Sequence, residues 1–313
     1  ENVLTHNFDD ILNDEEVSVV AEVMGGIEPA YTFTKKCLLA GKSVCTSNKA
    51  LVEKHGAELL AIAKEKNVNY LFEASVGGGI PIIRPLHTCL TADVIEEISG
   101  ILNGTTNYML TKMSAEGADY DEVLKDAQAK GYAERNPEAD VEGHDPARKI
   151  AILTSLITGK KVDFEDLYCE GITKVTTEDI AYAKKMGLAI KLLATSKKIG
   201  DQYSIMVSPK MIGASHPLFA VNDVFNAIFV KGNMLGDSMF YGSGAGKLPT
   251  ASAVAGDIVE AAKVTGNTGH FWTEEKLTLA DISTVENKFF VRATASADEA
   301  KAAFGEVFVM NDV

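Results

Sequence analysis

The sequence predicts an α/β protein: an incomplete Rossmann-type parallel sheet domain followed by an α+β domain with a mixed sheet. Three observations carry this. Residues 17–74 alternate short apolar runs with helical segments, the rhythm of right-handed βαβ units. After residue 80 that rhythm gives way to helices interleaved with longer strand-like stretches between about 188 and 241. Residues 250–262 then form a small-residue helix behind a glycine-rich loop, suited to pack back on the first domain.

The elements follow in order. Residues 17–23 are an apolar run of the buried-strand type, broken by Met24-Gly25-Gly26. Pro29 opens a helix that reaches about Ala40 and ends at Gly41. Residues 43–46 are a second strand, 49–66 a long amphipathic helix, and 69–74 a third strand leading into the 75–79 glycine loop. In open parallel sheets ligands bind beyond the C-terminal strand ends. Those ends here carry Gly25, the Ser47-Asn48-Lys49 turn and the glycine loop, each small or polar where a flat cofactor can approach the backbone. Residues 80–90 read as helix, 94–102 as strand, and 103–107 as a turn into another helix. Further helices are expected at 120–130 and 146–158, and strands at 203–207 and 225–231. The tail offers a strand at 289–294 and a helix at 298–304. The expected domains are thus 1–80 for nucleotide binding, completed by helix 250–263, then 81–249 for substrate binding and dimerisation, and a partial C-terminal extension at 286–313.

Composition narrows the function. With 313 residues, 46% hydrophobic and 24% charged, the chain is long enough for two domains. A net charge of -14 argues against a nucleic-acid partner or an anionic membrane surface. No apolar run approaches the roughly 20 residues of a membrane span. Cys37, Cys45, Cys89 and Cys169 are scattered without a CxxC pair, as expected of reduced thiols and a cytoplasmic location. The chain opens Glu1-Asn2-Val3, with neither a signal peptide nor a methionine, which suggests a processed or truncated chain. No Gly-x-Gly-x-x-Gly fingerprint is found at the start, and the 242–246 glycines do not match one. Lys247 is followed by leucine, so a phosphate loop fails as well. The expectation is a dinucleotide fold whose N-terminal strand and glycine turn are missing or unseen. The choice between NAD and NADP is then unreadable.

The densest chemistry lies in 131–149, where acids at 134, 138, 140, 142 and 145 sit in a Gly/Pro-broken loop that enters an apolar helix. Asp145-Pro146 reads as an N-cap followed by proline at the first helical position. Lys149 falls four residues on, on the same face. A lysine beside carboxylates at the mouth of a buried helix is a proton-transfer candidate. The alternative is a solvated acidic loop with an ordinary ion pair. His144 lacks a second histidine at ligand spacing, and His6, His55, His87, His216 and His270 show no pairing. Trp272 reads as packing.

The ordered motifs Glu22-Val-Met-Gly-Gly-Ile-Glu-Pro-Ala, Thr46-Ser-Asn-Lys-Ala-Leu, Glu73-Ala-Ser-Val-Gly-Gly-Gly-Ile-Pro, Gly100-Ile-Leu-Asn-Gly-Thr-Thr-Asn-Tyr, Asp145-Pro-Ala-Arg-Lys and Gly242-Ser-Gly-Ala-Gly-Lys-Leu-Pro-Thr-Ala resemble those of homoserine dehydrogenases over about residues 1–285. The resemblance implies NAD(P)-dependent interconversion of L-homoserine and L-aspartate 4-semialdehyde, in threonine, methionine and isoleucine biosynthesis. It implies a homodimer, or a dimer of dimers, built through the second domain's sheet. It makes Lys149 the catalytic lysine and places Lys49 at the cofactor–substrate junction. Glu134 becomes a ligand for the substrate's amino group, and Asp140 and Asp145 polar groups around the substrate and Lys149. Gly244 would lie beside the nicotinamide. Glu73 with the carbonyls of Val76, Gly78 and Ile80 would form a monovalent cation site for Na+ or K+. The tail stands where many members carry a regulatory ACT domain, and the 28 or so residues from Glu286 are too few for one. Two other readings compete: a non-catalytic dimerisation and substrate-binding fragment that has lost its cofactor, and another semialdehyde or imine reductase.

Overall fold

Two sheets organise the molecule, each built where the sequence periodicity places it. The computed structural model describes residues 4–264, 266 and 272–309; His270 and the opening residues 1–3 lie outside the described residues. A short helix α1 (Phe8–Leu12) precedes β1 (Val19–Glu22), α2 (Ala30–Leu39), β2 (Ser43–Thr46), α3 (Lys49–Lys66) and β3 (Tyr70–Leu71). The three strands are parallel in the order β1-β2-β3. All four residues of β2 are buried, as a central parallel strand requires. Asn48 caps α3 by accepting from the Leu51 N–H, and Asn67 ends it in the left-handed conformation at φ 55°. Trp272 is 1% exposed and lies edge-on to Phe72 with ring centroids 5.6 Å apart, so the packing role expected of it holds. It also presses on α3 at Gly56, where a Cβ would stand 2.4 Å from the ring.

The second sheet is formed by β4 (Ile95–Ile101), β6 (Tyr168–Cys169), β7 (Leu188–Ile199), β8 (Gln202–Gly213), β9 (Phe225–Gly232) and β10 (Gly236–Ser243). Its order is β10-β9-β4-β7-β8-β6, antiparallel except for the β6–β8 pair. It is therefore mixed, as expected. β7 and β8 close on a two-residue turn in which Gly200 takes φ 58°. One sheet face joins α4 (Gly104–Glu116) and α7 (His144–Thr158) in the main core, through residues such as Ile98, Ile228, Leu192, Met109, Ile150 and Leu153. The other face holds a smaller cluster, with Ile101, Leu193, Ala227 and Phe229 meeting Leu218 and Val221 of the 214–224 loop. Between α4 and α7 lie α5 (Tyr120–Ala129) and α6 (Glu138–Val141). α8 (Thr177–Lys185) precedes β7 and packs against it. α9 (Lys247–Lys263) packs on β1 and β2, and Ala261 and Ile258 share a small core with Val19, Cys45 and Leu71. A two-stranded pairing of β5 (Lys160–Lys161) with β11 (Thr273–Lys276) and the exposed α10 (Ala297–Phe304) complete the chain. No helix among the described residues is long and apolar enough to cross a membrane. All four cysteines are free thiols.

Several local expectations are corrected. The third strand stops at Leu71, because Glu73 turns into a single 3-10 turn and buries its carboxylate. The helix expected over 80–90 contains a π turn at Pro85–Cys89; Leu90 donates to the Pro85 carbonyl, five residues back. Asp145 is not the cap of α7. The helix starts at His144 behind Gly143, whose φ of 85° only glycine adopts cheaply. α9 starts at Lys247, three residues before its expected start at 250. The 289–294 strand does not form, and no strand of the described residues pairs with that segment. That segment lies against α8 instead, through the Tyr182–Phe290 rings and the ion pairs of Arg292 with Glu178 and Asp179.

Candidate active site

The start of α3, the turn from β4 into α4 and the first turn of α7 converge on Asp145. This carboxylate is 4% exposed. Lys49 Nζ lies 2.6 Å from its Oδ1. Lys149 Nζ donates to its Oδ2 at 2.8 Å and to the Leu102 carbonyl at 2.7 Å. Burial pushes the Asp145 carboxyl up, but the charges of Lys149 and Lys49 outweigh it and hold the group well below the usual carboxylate range. Lys49 is the first residue of α3, where the helix dipole disfavours a cation; Asp145 offsets that cost. Lys149 is 8% exposed, whereas the Lys49 side chain is 42% exposed and opens the cluster to solvent.

Asp140 stands one step away. Asn103 Nδ2 donates to Asp140 Oδ1 at 2.7 Å and to Asp145 Oδ2 at 2.9 Å. Burial pushes the Asp140 carboxyl up, the Asn103 hydrogen bond opposes this, and the negative charge of Asp145 adds to it. The structure thus brings Lys49, Asp140, Asp145 and Lys149 together. Glu134 is exposed, its backbone carbonyl accepts from Gln128 Nε2, and no hydrogen bond joins its carboxylate to the cluster among the described residues. His144 is exposed on α7, and no group of three or more His, Cys, Asp or Glu side chains among the described residues could hold a metal ion.

Beside this cluster lie the strand ends and glycine loops. A Cβ on Gly25 or Gly26 would meet nothing within 4 Å, so the end of β1 borders open space. Glu22 ties that end down: its carboxylate accepts from the Met24 N–H at 2.7 Å and from Thr46 Oγ1 at 2.6 Å. Asn48 Nδ2 donates to the Gly26 carbonyl at 2.6 Å, which links the same turn to the start of α3. Gly79 N–H donates to the Ser243 carbonyl at 3.1 Å, and a Cβ on Gly78 would stand 2.3 Å from the Gly244 carbonyl oxygen. The two glycine loops interlock, and only glycine fits their contact. The Glu73 carboxylate faces inward and accepts from the Ile82, Ile83 and Arg84 N–H groups at 2.6, 2.8 and 2.9 Å. Both carboxylate oxygens of Glu73, expected at a cation site with the carbonyls of Val76, Gly78 and Ile80, are thus held by main-chain donors.

Sequence reasoning missed Asn103, Glu22 and Asp257 as parts of this construction. Asn103 and Glu22 carried a local signal: an asparagine directly before a helix, and an acid ending an apolar run, a run that the structure leaves only partly buried rather than fully buried as expected. Asp257 had none, since an aspartate in a helix is unremarkable until its neighbours are known. It accepts from the Glu73 N–H at 2.9 Å and from Arg84 at 2.7 Å.

Comparison with known proteins shows the family to which the chain is similar. The sequence profile described as "Homoserine dehydrogenase" matches residues 81–259, and that described as "Homoserine dehydrogenase, NAD binding domain" matches residues 1–73. The chain is 48% identical to a homoserine dehydrogenase of Synechocystis sp. over 82% of this chain and 60% of the relative. It is 45% identical to one of Bacillus subtilis over 85% of this chain and 62% of the relative. It therefore spans about three fifths of the length of these two relatives. The crystal structure of a homoserine dehydrogenase from Thiobacillus denitrificans superimposes with a TM-score of 0.84 at 39% identity, over 90% of this chain and 67% of the other. A hyperthermophilic archaeal homoserine dehydrogenase in complex with NADPH superimposes with a TM-score of 0.73 at 30% identity, over 85% of this chain and 78% of the other.

Proposed function

This chain belongs to the homoserine dehydrogenase family, and on that premise we propose that it interconverts L-homoserine and L-aspartate 4-semialdehyde with NAD(P). The observation that carries the reading is the buried Asp145 shared by two lysines beside the open end of a parallel sheet. Lys149 uses two of its three donors on Asp145 and the Leu102 carbonyl, which leaves the third for the reacting oxygen of the substrate. In the reducing direction Lys149 gives a proton to the developing alkoxide, and Lys49 adds a second positive charge there. In the oxidising direction Lys149 receives the hydroxyl proton. Asp145 orients both lysines. Asp140 and Glu134 are carboxylates suited to the substrate's ammonium group.

The residues present fit a dinucleotide. Gly25 borders open space at a strand end, where a flat group can approach the backbone, and Gly244 sits in the interlocked loops on the side of the second sheet. The dinucleotide supplies or accepts the hydride when bound. The carbonyls of the 73–80 loop suit a monovalent cation such as Na+ or K+. We further assign the chain a place in threonine, methionine and isoleucine biosynthesis, a cytoplasmic location, and a homodimer built through the mixed sheet.

The test is direct. Purified chain is mixed with NADPH and L-aspartate 4-semialdehyde, and loss of NADPH absorbance is followed; steady turnover is expected. Homoserine binding by calorimetry without any dinucleotide binding would instead favour a non-catalytic fragment. Faster reduction of unrelated aldehydes would point to a different reductase.

A further inference from the structure

Asn103 is 6% exposed, and both ends of its side-chain amide are used. Oδ1 accepts from the Thr106 N–H at 2.9 Å and Thr106 Oγ1 at 3.0 Å, which pins the amide to the N-terminus of α4. Nδ2 then faces the opposite way, and its two hydrogens go to Asp140 and Asp145. The orientation is fixed by chemistry. A flipped amide would set its carbonyl oxygen against two carboxylates and its NH2 against a backbone donor. Helix capping needs only the oxygen, and serine or aspartate supplies that as well. The donating nitrogen is surplus to the cap.

Its effect falls on the charges of the site. Both lysines form ion pairs with Asp145, Lys49 at Oδ1 and Lys149 at Oδ2. Asp140 forms no ion pair with either lysine among the described residues, and its bonded partner is the neutral amide. The cluster is therefore divided into a cationic part, two ammonium groups around one carboxylate, and an anionic part, Asp140. A zwitterionic amino acid with an oxygen at its far end matches that division, ammonium to Asp140 and oxygen to the lysines. We propose that Asn103 is a positioning residue that partitions the charge of the site. By tying Asp140 to a neutral donor, it keeps both lysines on Asp145 and leaves Asp140 a free oxygen for the substrate's ammonium. The proposal deepens the dehydrogenase reading and rests on it. The titration of Asp140 fits: burial pushes its carboxyl up and the Asn103 hydrogen bond pulls it back, so removing the donor lets it rise.

Two variants that keep a capping oxygen test this, Asn103→Ser and Asn103→Asp. For Asn103→Ser the KM for homoserine rises about tenfold, as expected when a hydrogen bond to a charged group is lost. Its KM for the dinucleotide is unchanged, and the acid limb of kcat/KM moves up by about one pH unit. Asn103→Asp lowers kcat/KM further, by about a hundredfold, because a third carboxylate competes for Lys149. A readout free of turnover accompanies these: the carbon NMR titration of the Asp140 carboxyl, assigned by the signal missing from Asp140→Asn. Its midpoint should rise in Asn103→Ser. A folded Asn103→Ser variant with a lower Tm but unchanged homoserine KM, acid limb and Asp140 midpoint would make Asn103 a cap only and overturn the proposal. Should Asn103→Ser not fold, Asn103→Thr, which also keeps a capping oxygen and adds no charge, decides by the same titration. An unsubstituted chain that never turns over homoserine, while the midpoint still shifts, would sink the dehydrogenase reading and leave the electrostatic role of Asn103 standing.

Discussion

At the scale of single residues, the proposed chemistry turns on Lys149. It is buried, it bonds a carboxylate and a carbonyl, and it keeps one donor free. Lys149→Ala removes that donor without stranding Asp145, which stays paired to Lys49 at 2.6 Å. The fold is therefore expected to survive. Turnover should fall by about two to four orders of magnitude, the usual worth of a general acid–base group. Dinucleotide affinity, read by fluorescence titration, should stay within about twofold of the parent, because the Lys149 ammonium is engaged with Asp145 and the Leu102 carbonyl and its remaining donor is assigned to the substrate oxygen. Turnover within a few fold of the parent would take Lys149 out of the proton transfer.

At the scale of elements, the site is held by loops that interlock without side chains. Gly244 meets Asn226, itself 2% exposed, and a Cβ there would stand 2.0 Å from Asn226 Nδ2. Asn226 has no solvent to retreat into. Gly244→Ala should therefore destabilise the fold by about 1–3 kcal/mol, the cost of overpacking, and lower the Tm by several degrees. Gly256→Ala is the control. It lies in α9, its Cβ would meet nothing within 4 Å, and alanine favours the helix by about 1 kcal/mol. A Gly244→Ala protein that melts with the parent would mean that the loop contact is loose. Legibility at this scale was uneven. Strands and helices with strong periodicity, such as β2 and α3, begin and end where the sequence places them. Ends set by a distant partner do not: β3 is cut short where Glu73 turns inward to meet the 82–84 backbone.

At the scale of the whole molecule, Asp257 joins α9 to the loop that leaves the first sheet. It is 2% exposed, accepts from the Glu73 N–H and pairs with Arg84 at 2.7 Å. Burial pushes its carboxyl up to about 7; the Glu73 N–H lowers it, the Glu73 charge raises it and Arg84 lowers it. A carboxyl that titrates higher folded than unfolded binds its proton more tightly in the folded state. Its contribution to stability is full below the ordinary carboxylate range and is lost as the pH rises through about 7. Asp145 has the opposite sign: its contribution is present above the ordinary range and is lost under acid. Denaturant unfolding of the parent and of Asp257→Asn at about pH 5 and pH 8 separates the two groups. The parent should lose about 1–3 kcal/mol more than Asp257→Asn between those values. Parallel pH profiles would mean that Asp257 is ionised throughout.

The sequence by itself determined the class of the fold, the parallel and mixed sheets, and the one site contact written within a helical turn, Asp145 to Lys149. These follow from periodicities of two and 3.6 residues, which are properties of neighbouring positions. Only the tertiary structure decided which faces meet. It brought Lys49 from the start of α3 onto Asp145, set the Asn103 amide between two carboxylates, joined Asp257 to Glu73 and left the 289–294 segment without a sheet. Periodicity tells which side of an element seeks a partner. The partner itself is chosen by chain topology and by the need to satisfy every buried polar group, and both act between positions far apart in the sequence.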